Sequence, residues 1–346
     1  MKAVHFDIYG AAQEVLRVEA HADEPDMAPN DVKIRVIASS LNPIDCKRRM
    51  AYGHNVYKAM GSARAPITPG LDFSGIVEEV GERATTFKVG DEVWGAQETF
   101  RPGTHGEYAC VRAHDVSIKP ANLTHEEAAS LPYVALSTWN AFMHKAKIST
   151  ENAGDRRILI HGGGGGIGTF AIQLMKAWGA YVVTTCSPDK MALARELGAD
   201  EVIDYTQIDF TKAVKDIDVV LDTVGGDVMF RSVKVLRRDH TPRIVSFHSP
   251  LMPMTDKYGP RRGFAMVLLT GMMRKARIGI KGAFYRDAYF NPDADALDEI
   301  RTLIEAGKIR PVIDSVYSID DAVAAHEHLE SGATKGKVVL KIGDAA

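Results

Sequence analysis

The spacing of apolar and polar positions changes near Thr124. Before it, apolar residues recur in short alternating runs: Val32-Lys-Ile-Arg-Val-Ile-Ala38, Gly75-Ile-Val-Glu-Glu-Val-Gly81, Val89-Gly-Asp-Glu-Val-Trp-Gly95 and Glu107-Tyr-Ala-Cys-Val-Arg112. A period near two, punctuated by Gly and Pro, predicts short strands and a β-barrel-like domain. After it, apolar strands alternate with helical runs. Thr124-His-Glu-Glu127 fits a capping box opening a helix. Ile158–Ile160, Tyr181–Thr185, Asp200–Tyr205, Asp218–Asp222 and Arg243–Phe247 read as strands. Thr169–Trp178 and Pro188–Leu197 read as helices, the second closed by Gly198. This β–α alternation implies a parallel, doubly wound sheet. Asp295–Ala306 reads as a helix closed by Gly307. Lys337–Ile342 reads as a final strand, expected to return to the first domain. The expected division is residues 1–123 with 293–346, and residues 124–292 between them.

The junction of the first long strand and helix carries candidate chemistry. His161 and five glycines, Gly162 to Gly166, follow the strand, then Ile167 and Gly168. Gly163, Gly165 and Gly168 satisfy G-x-G-x-x-G, with Gly164, Gly166 and Ile167 filling the loop. Glycine serves there for a tight turn, for close backbone approach to a pyrophosphate and for helix–strand packing. The helix N-terminus then offers N–H groups to phosphate. A glycine-rich loop without a ligand is the plainer alternative. The strand–turn–helix context favours dinucleotide binding.

Composition narrows the rest. The chain has 346 residues, 45% hydrophobic and 25% charged, a formal net charge of −3 and a pI near 6.5. These are ordinary globular values, and no basic block is long enough for a nucleic-acid footprint. Cys46, Cys110 and Cys186 show no C-x-x-C spacing, so neither a disulfide framework nor a structural zinc site is expected. No signal-peptide pattern opens the chain, and Phe264–Met273, its most apolar stretch, is too short to span a bilayer. The expectation is a cytoplasmic protein with no integral membrane segment.

Taken with Asn42-Pro-Ile-Asp45, Pro69-Gly-Leu-Asp-Phe-Ser-Gly75, Val89-Gly-Asp-Glu-Val93, Leu197-Gly-Ala-Asp200 and Asp204-Tyr205, the chain resembles the medium-chain dehydrogenase/reductase superfamily over essentially its whole length. The branch it resembles is that of the zinc-free quinone oxidoreductases. Phe284–Phe290, Gly307–Ile313 and Lys335–Val339 are most similar to the reticulon-interacting oxidoreductases and their bacterial relatives. The resemblance implies a GroES-like β-barrel catalytic domain beside a Rossmann domain, an active site in the cleft between them, and a homodimer paired through the edge near Gly282–Phe290. The places of the family's catalytic zinc ligands hold Asn42, Leu71 and Tyr133, a set that cannot bind zinc. No metal is expected.

An acidic residue that would read an NAD ribose belongs about 20 residues past the glycines. Cys186 stands there, near Ser187, Lys190 and Tyr205, and those three match the family's 2′-phosphate positions. NADPH is therefore the expected cofactor, although a solvated Lys190 and a packed Tyr205 are the plain alternatives. Asp189 is expected to begin the following helix. By motif, Thr223, Phe247, Ala288, Phe290 and Lys335 are further cofactor contacts, with core packing open for both phenylalanines.

Hydride delivery to a quinone or an α,β-unsaturated carbonyl leaves an oxyanion that needs donors and a proton. Asn42, Asp45 and Tyr52 are the catalytic candidates, with Tyr57 and Tyr133 as alternatives to Tyr52. Asn42 also fits a structural Asn-Pro turn. The expected function is NADPH-dependent reduction of a small quinone or enone. An enoyl thioester reductase is the enzymatic alternative, and a nicotinamide-binding redox sensor or scaffold is the alternative of another class. Leu251–Ala283 exceeds a minimal crossover. Its apolar patch fits a covering helix or a dimer face, or else a mobile lid or membrane-surface contact.

Overall fold

In the computed structural model, which describes residues 1–238, 241–280 and 282–344, the chain forms two compact units. The first comprises Met1–Leu136 and Asn291–Ala346, the second Ser137–Phe290. The first boundary falls later than the change of pattern at Thr124. The reason is packing: the helix His125–Ala129 is fixed to the first unit by His125 Nδ1 against Ser74 Oγ at 2.8 Å, and Tyr133 N donates to Asp72 Oδ1 at 2.5 Å. The capping box forms, with Glu127 N donating to Thr124 Oγ1 at 3.2 Å and Thr124 N to Glu127 Oε2 at 2.9 Å.

The first unit is built on a mixed sheet in the order Ile313–Ser318, Lys337–Lys341, Asp31–Leu41, Asp72–Val80, Glu92–Ala96, Val116–Ile118. Tyr108–Arg112 pairs with the first half of the long Asp31–Leu41 strand. That strand also pairs with Asp72–Val80, with breaks in register at Lys33/Ile34 and Val36/Ala38, and with Lys337–Lys341, so it serves three partners. Its inward side chains Val32, Ile34 and Val36 pack on Phe73, Val77, Val93 and Val111. The C-terminal strand pairs antiparallel with Ala38–Leu41, so the first unit is discontinuous in sequence.

The second unit is a six-stranded, all-parallel sheet in the order Glu201–Asp204, Tyr181–Cys186, Arg157–His161, Val219–Asp222, Arg243–Ser246, Phe284–Asp287. Ile158, Leu159 and Ile160 are fully buried, as expected for a strand covered on both faces. The strand order reverses between Arg157–His161 and Val219–Asp222. In an open parallel sheet, ligands bind in the crevice beyond the strand ends at such a reversal.

Candidate functional site

That crevice exists. It has a volume of ≈ 520 Å³ and is lined by the ends of two strands, Arg157–His161 and Tyr181–Cys186, and by the segments that follow these and the Glu201–Asp204 and Val219–Asp222 strands. Helix Gly166–Ala177 starts at its wall, with Gly165 as N-cap. Gly165 has no side chain to cap with, which leaves the first-turn N–H groups to an anion. The loop accepts nothing larger than glycine at its key points. A Cβ on Gly168 would lie 2.2 Å from Gly162 O, and one on Gly163 would lie 2.1 Å from Thr184 Oγ1. One on Gly164 would meet the Lys190 stem at 2.5 Å. These contacts fit a turn pressed against both sheet and ligand, so the loop suits a dinucleotide pyrophosphate.

Gly164, Gly165, Ser187, Lys190, Tyr205 and Thr223 all line this crevice. Thr223 Oγ1 donates to His161 O at 2.6 Å and so ties two strand ends together. His161 is buried, hydrogen-bonded to Thr185 Oγ1 and Ser232 Oγ at 2.9 Å each, and burial pushes its pKa down to about 4. Neutral at working pH, it is a strut rather than a charge. Cys186 closes its strand as a buried thiol whose pKa burial raises, so no anion stands at the ribose-reading position. Asp189 does not simply begin a helix. Its carboxylate accepts the Ser187 hydroxyl at 2.5 Å, which places an acid at the rim.

Phe247, Ala288 and Phe290 follow the last two strands and are not among the residues lining the crevice. Ala288 is buried, its N–H donated to Ser246 O at 2.8 Å. Lys335 belongs to the first unit, where its N–H donates to Asp314 Oδ1 at 2.8 Å. Two crevice residues had no motif to announce them. Arg231 pairs with Asp209 at 2.6 Å, and its guanidinium lies 5.2 Å from the Phe210 ring centre. Phe210, in turn, meets His161 edge-on at 4.7 Å.

In the first unit, Asn42 and Asp45 are buried. The Asn42 amide is held at both ends: Nδ2 donates to Asp72 Oδ2 at 2.8 Å, and Oδ1 accepts from Lys337 Nζ at 2.5 Å. The Lys337 ammonium also reaches Leu41 O at 3.0 Å and Asp72 Oδ2 at 3.1 Å. Ser40 Oγ adds a bond to Asp72 Oδ2 at 2.6 Å. Asn42 is thus more than an Asn-Pro turn; it belongs to a buried ion-pair network. Asp45 accepts from Asn42 N at 2.8 Å and Gly70 N at 3.1 Å. Burial pushes its pKa up to about 6, against the pull of those two N–H groups and of Lys337.

Tyr52 is half-buried, its ring centre 5.7 Å from Lys47 Nζ. Tyr57 is buried beneath the Arg48 guanidinium, and burial raises its pKa to about 12. The three places matching zinc ligands hold an amide already bonded twice, the buried side chain of Leu71, and Tyr133. Among the described residues no group of three or more His, Cys, Asp or Glu is arranged for a metal ion. These residues do not fit a catalytic zinc.

A glycine-cradled crevice at the reversal point of a parallel sheet, in a chain that also folds a GroES-like sheet, defines a medium-chain dehydrogenase/reductase, and this chain belongs to that family. Residues 28–121 match the alcohol dehydrogenase GroES-like domain and residues 197–340 the zinc-binding dehydrogenase family. Within the family the chain is 38% identical to the human NAD(P)H oxidoreductase RTN4IP1, mitochondrial, over 99% of this chain and 89% of the relative. It is 33% identical to a 2-methylene-furan-3-one reductase of Solanum lycopersicum, over 98% of this chain and 79% of the relative. A quinone oxidoreductase from Coxiella burnetii superposes with a TM-score of 0.83 at 31% identity, covering 99% of both chains. The Escherichia coli quinone oxidoreductase complexed with NADPH superposes at 0.78 with 26% identity, covering 99% of this chain and 100% of the other. The protein is therefore an oxidoreductase of the NAD(P)H-dependent class. The expectation of a cytoplasmic location is corrected by these relatives, since the human, mouse, cattle and zebrafish proteins are all named as mitochondrial.

Proposed function

We propose that this chain reduces a quinone or an α,β-unsaturated carbonyl with NADPH and without zinc. The observation that carries the cofactor half is the lining of the crevice. Among the described residues that line it, Lys190 and Arg231 are the cations; Asp209 already pairs with Arg231, and the rim carboxylate of Asp189 accepts the Ser187 hydroxyl. With a neutral thiol at Cys186 and hydroxyls from Ser187 and Tyr205, that lining suits a 2′-phosphate better than a bare ribose diol. The cofactor, when bound, supplies the hydride. The residues proposed to hold it are the 163–168 loop, Ser187, Lys190, Tyr205 and Thr223. Phe247, Ala288, Phe290 and Lys335 are proposed as contacts beyond the crevice.

For the acceptor, the names of the relatives support quinones and enones. An enoyl thioester is the alternative acceptor, and it would need a wide cationic channel for coenzyme A or a carrier. Asn42 and Asp45 are proposed to hold their loop in place, while the half-buried Tyr52 is the side chain proposed to give the acceptor oxygen its hydrogen bond and proton. Dimerisation through the Phe284–Asp287 edge strand and a mitochondrial location complete the proposal.

Titration of the quenching of intrinsic fluorescence by NADPH and by NADH tests the cofactor half. Lys190→Ala is expected to weaken NADPH by about tenfold to a hundredfold, and NADH by less than about twofold. Equal losses for the two cofactors would refute the 2′-phosphate assignment.

A further inference from the structure

The second unit carries a helix whose outward face is built against the usual rule. Helix Pro260–Gly279 buries Gly263 and Ile278 on one side. Gly263 lies so close to the preceding helix that a Cβ would meet Thr255 Cα at 2.5 Å. Arg274 clamps the helix to the sheet, donating to His248 O at 2.7 Å and Tyr285 Oη at 3.0 Å, with Asp287 at 3.7 Å. The opposite face should be polar. Instead Leu268, Leu269, Met272 and Met273, at the 3–4 residue spacing of one helix side, are 57%, 47%, 64% and 63% exposed, with Phe264 at 56% beside them. Large apolar side chains grouped on one face mark a contact surface.

The charges around this face select its partner. The helix holds five cations, Arg261, Arg262, Arg274, Lys275 and Arg277, and no carboxylate, in a chain of net charge −3. Arg261, Arg262, Lys275 and Arg277 are exposed, so the apolar stripe is bracketed by positive charge at both ends. Arg261 and Arg262 also sit in the first turn, where the helix dipole disfavours cations. Face-to-face pairing with a second copy of this helix, parallel or antiparallel, would set cations against cations. A partner with apolar depth and a continuous negative surface satisfies both ends and the stripe between them.

We infer that helix Pro260–Gly279 is a membrane-surface contact, lying in the interface of a bilayer that contains anionic phospholipid. Leu268, Leu269, Met272, Met273 and Phe264 enter the acyl boundary while Arg261, Arg262, Lys275 and Arg277 meet phosphates and carboxylates of the headgroups. An amphipathic helix of this composition binds in that way, and each basic residue near the surface adds to the affinity. The inference stands on the surface alone and does not depend on the acceptor proposed above. It does place the protein where lipophilic acceptors dissolve.

Co-sedimentation of the purified full chain tests it, using phosphatidylcholine vesicles with and without roughly a third phosphatidylserine. The chain is expected to pellet with the anionic vesicles alone, and less so as salt rises. Arg261→Glu with Arg262→Glu, and separately Leu268→Asp with Met272→Asp, are expected to weaken binding by about tenfold or more, with melting curves like those of the parent. Failure to bind anionic vesicles overturns the inference. Equal binding to neutral vesicles overturns its electrostatic half. Sedimentation showing that either pair of substitutions splits a dimer, without any vesicle binding, assigns the face to a second copy instead.

Discussion

Lys337 shows how much of the first unit's site rests on one side chain. Its ammonium is buried with the Asp72 carboxylate, the Asn42 amide and the Leu41 carbonyl around it. Removing one partner of a buried pair leaves the other uncompensated, so Lys337→Met is expected to cost about 3–5 kcal/mol. Urea denaturation measures this. The double change Lys337→Met with Asp72→Asn should recover part of the loss, and an additive loss would show that the pair does not act as a unit. In the sequence, Asn42 and Asp45 stood out through their motif, but their roles did not. The groups that fix them come from positions 70, 72 and 337, and no local spacing links those to Asn42 and Asp45. Lys337 read only as a residue entering the last strand. Arg231 was similarly hidden, because its partners Asp209 and Phe210 open the four-residue helix Phe210–Ala213, too short to show a periodic face.

Elements were more legible than residues, because each rests on contacts close in sequence. The Ile158–Ile160 strand, the glycine turn and the helix after it form where apolar run, glycines and helical period succeed one another. Their glycines make a sharp expectation: Gly168→Ala would push a methyl against Gly162 O and Gly163 Cα, both backbone. NADPH affinity should fall by more than about tenfold, and the melting temperature should fall as well, since a clash with backbone outweighs the roughly 1 kcal/mol that alanine gains over glycine in a helix. Unchanged affinity would mean that the loop does not touch the cofactor. The boundary near Thr124 was less legible. A capping box announces a helix, but its owner is decided by Ser74 and Asp72, some 50 to 60 residues earlier. For helix Pro260–Gly279 the apolar pattern was plain, but only burial shows which of its residues face outward.

At the scale of the whole molecule, pH links the two units through groups they keep uncharged. Burial drives His105 and His161 down to about 4, and His326 well below its ordinary value of 6.5. Each binds a proton more readily when unfolded. Their stabilising contribution is full above pH 6.5 and is lost as pH falls towards 4. Asp45, raised from 3.8 to about 6, works the other way and loses stability as pH rises through that window. Burial also lowers His5 and His125 and raises Asp115, so five histidines against two carboxyls give a net loss on acidification. Melting temperature is expected to be lower at about pH 5 than at about pH 7.5, and His105→Phe should narrow that gap by a few degrees. A gap unchanged by the substitution would show that His105 titrates normally.

The measurement that bears most directly on function is consumption of NADPH and of NADH by the purified chain against a benzoquinone, a naphthoquinone, an enone, an enal and crotonyl-CoA, with EDTA present. The expected result is turnover of a quinone or an enone with NADPH, much slower turnover with NADH, loss of that preference in Lys190→Ala, and no effect of the chelator. Preference for crotonyl-CoA would move the acceptor to a thioester. Tight NADPH binding with no turnover of any acceptor would contradict the assignment as a quinone or enone reductase.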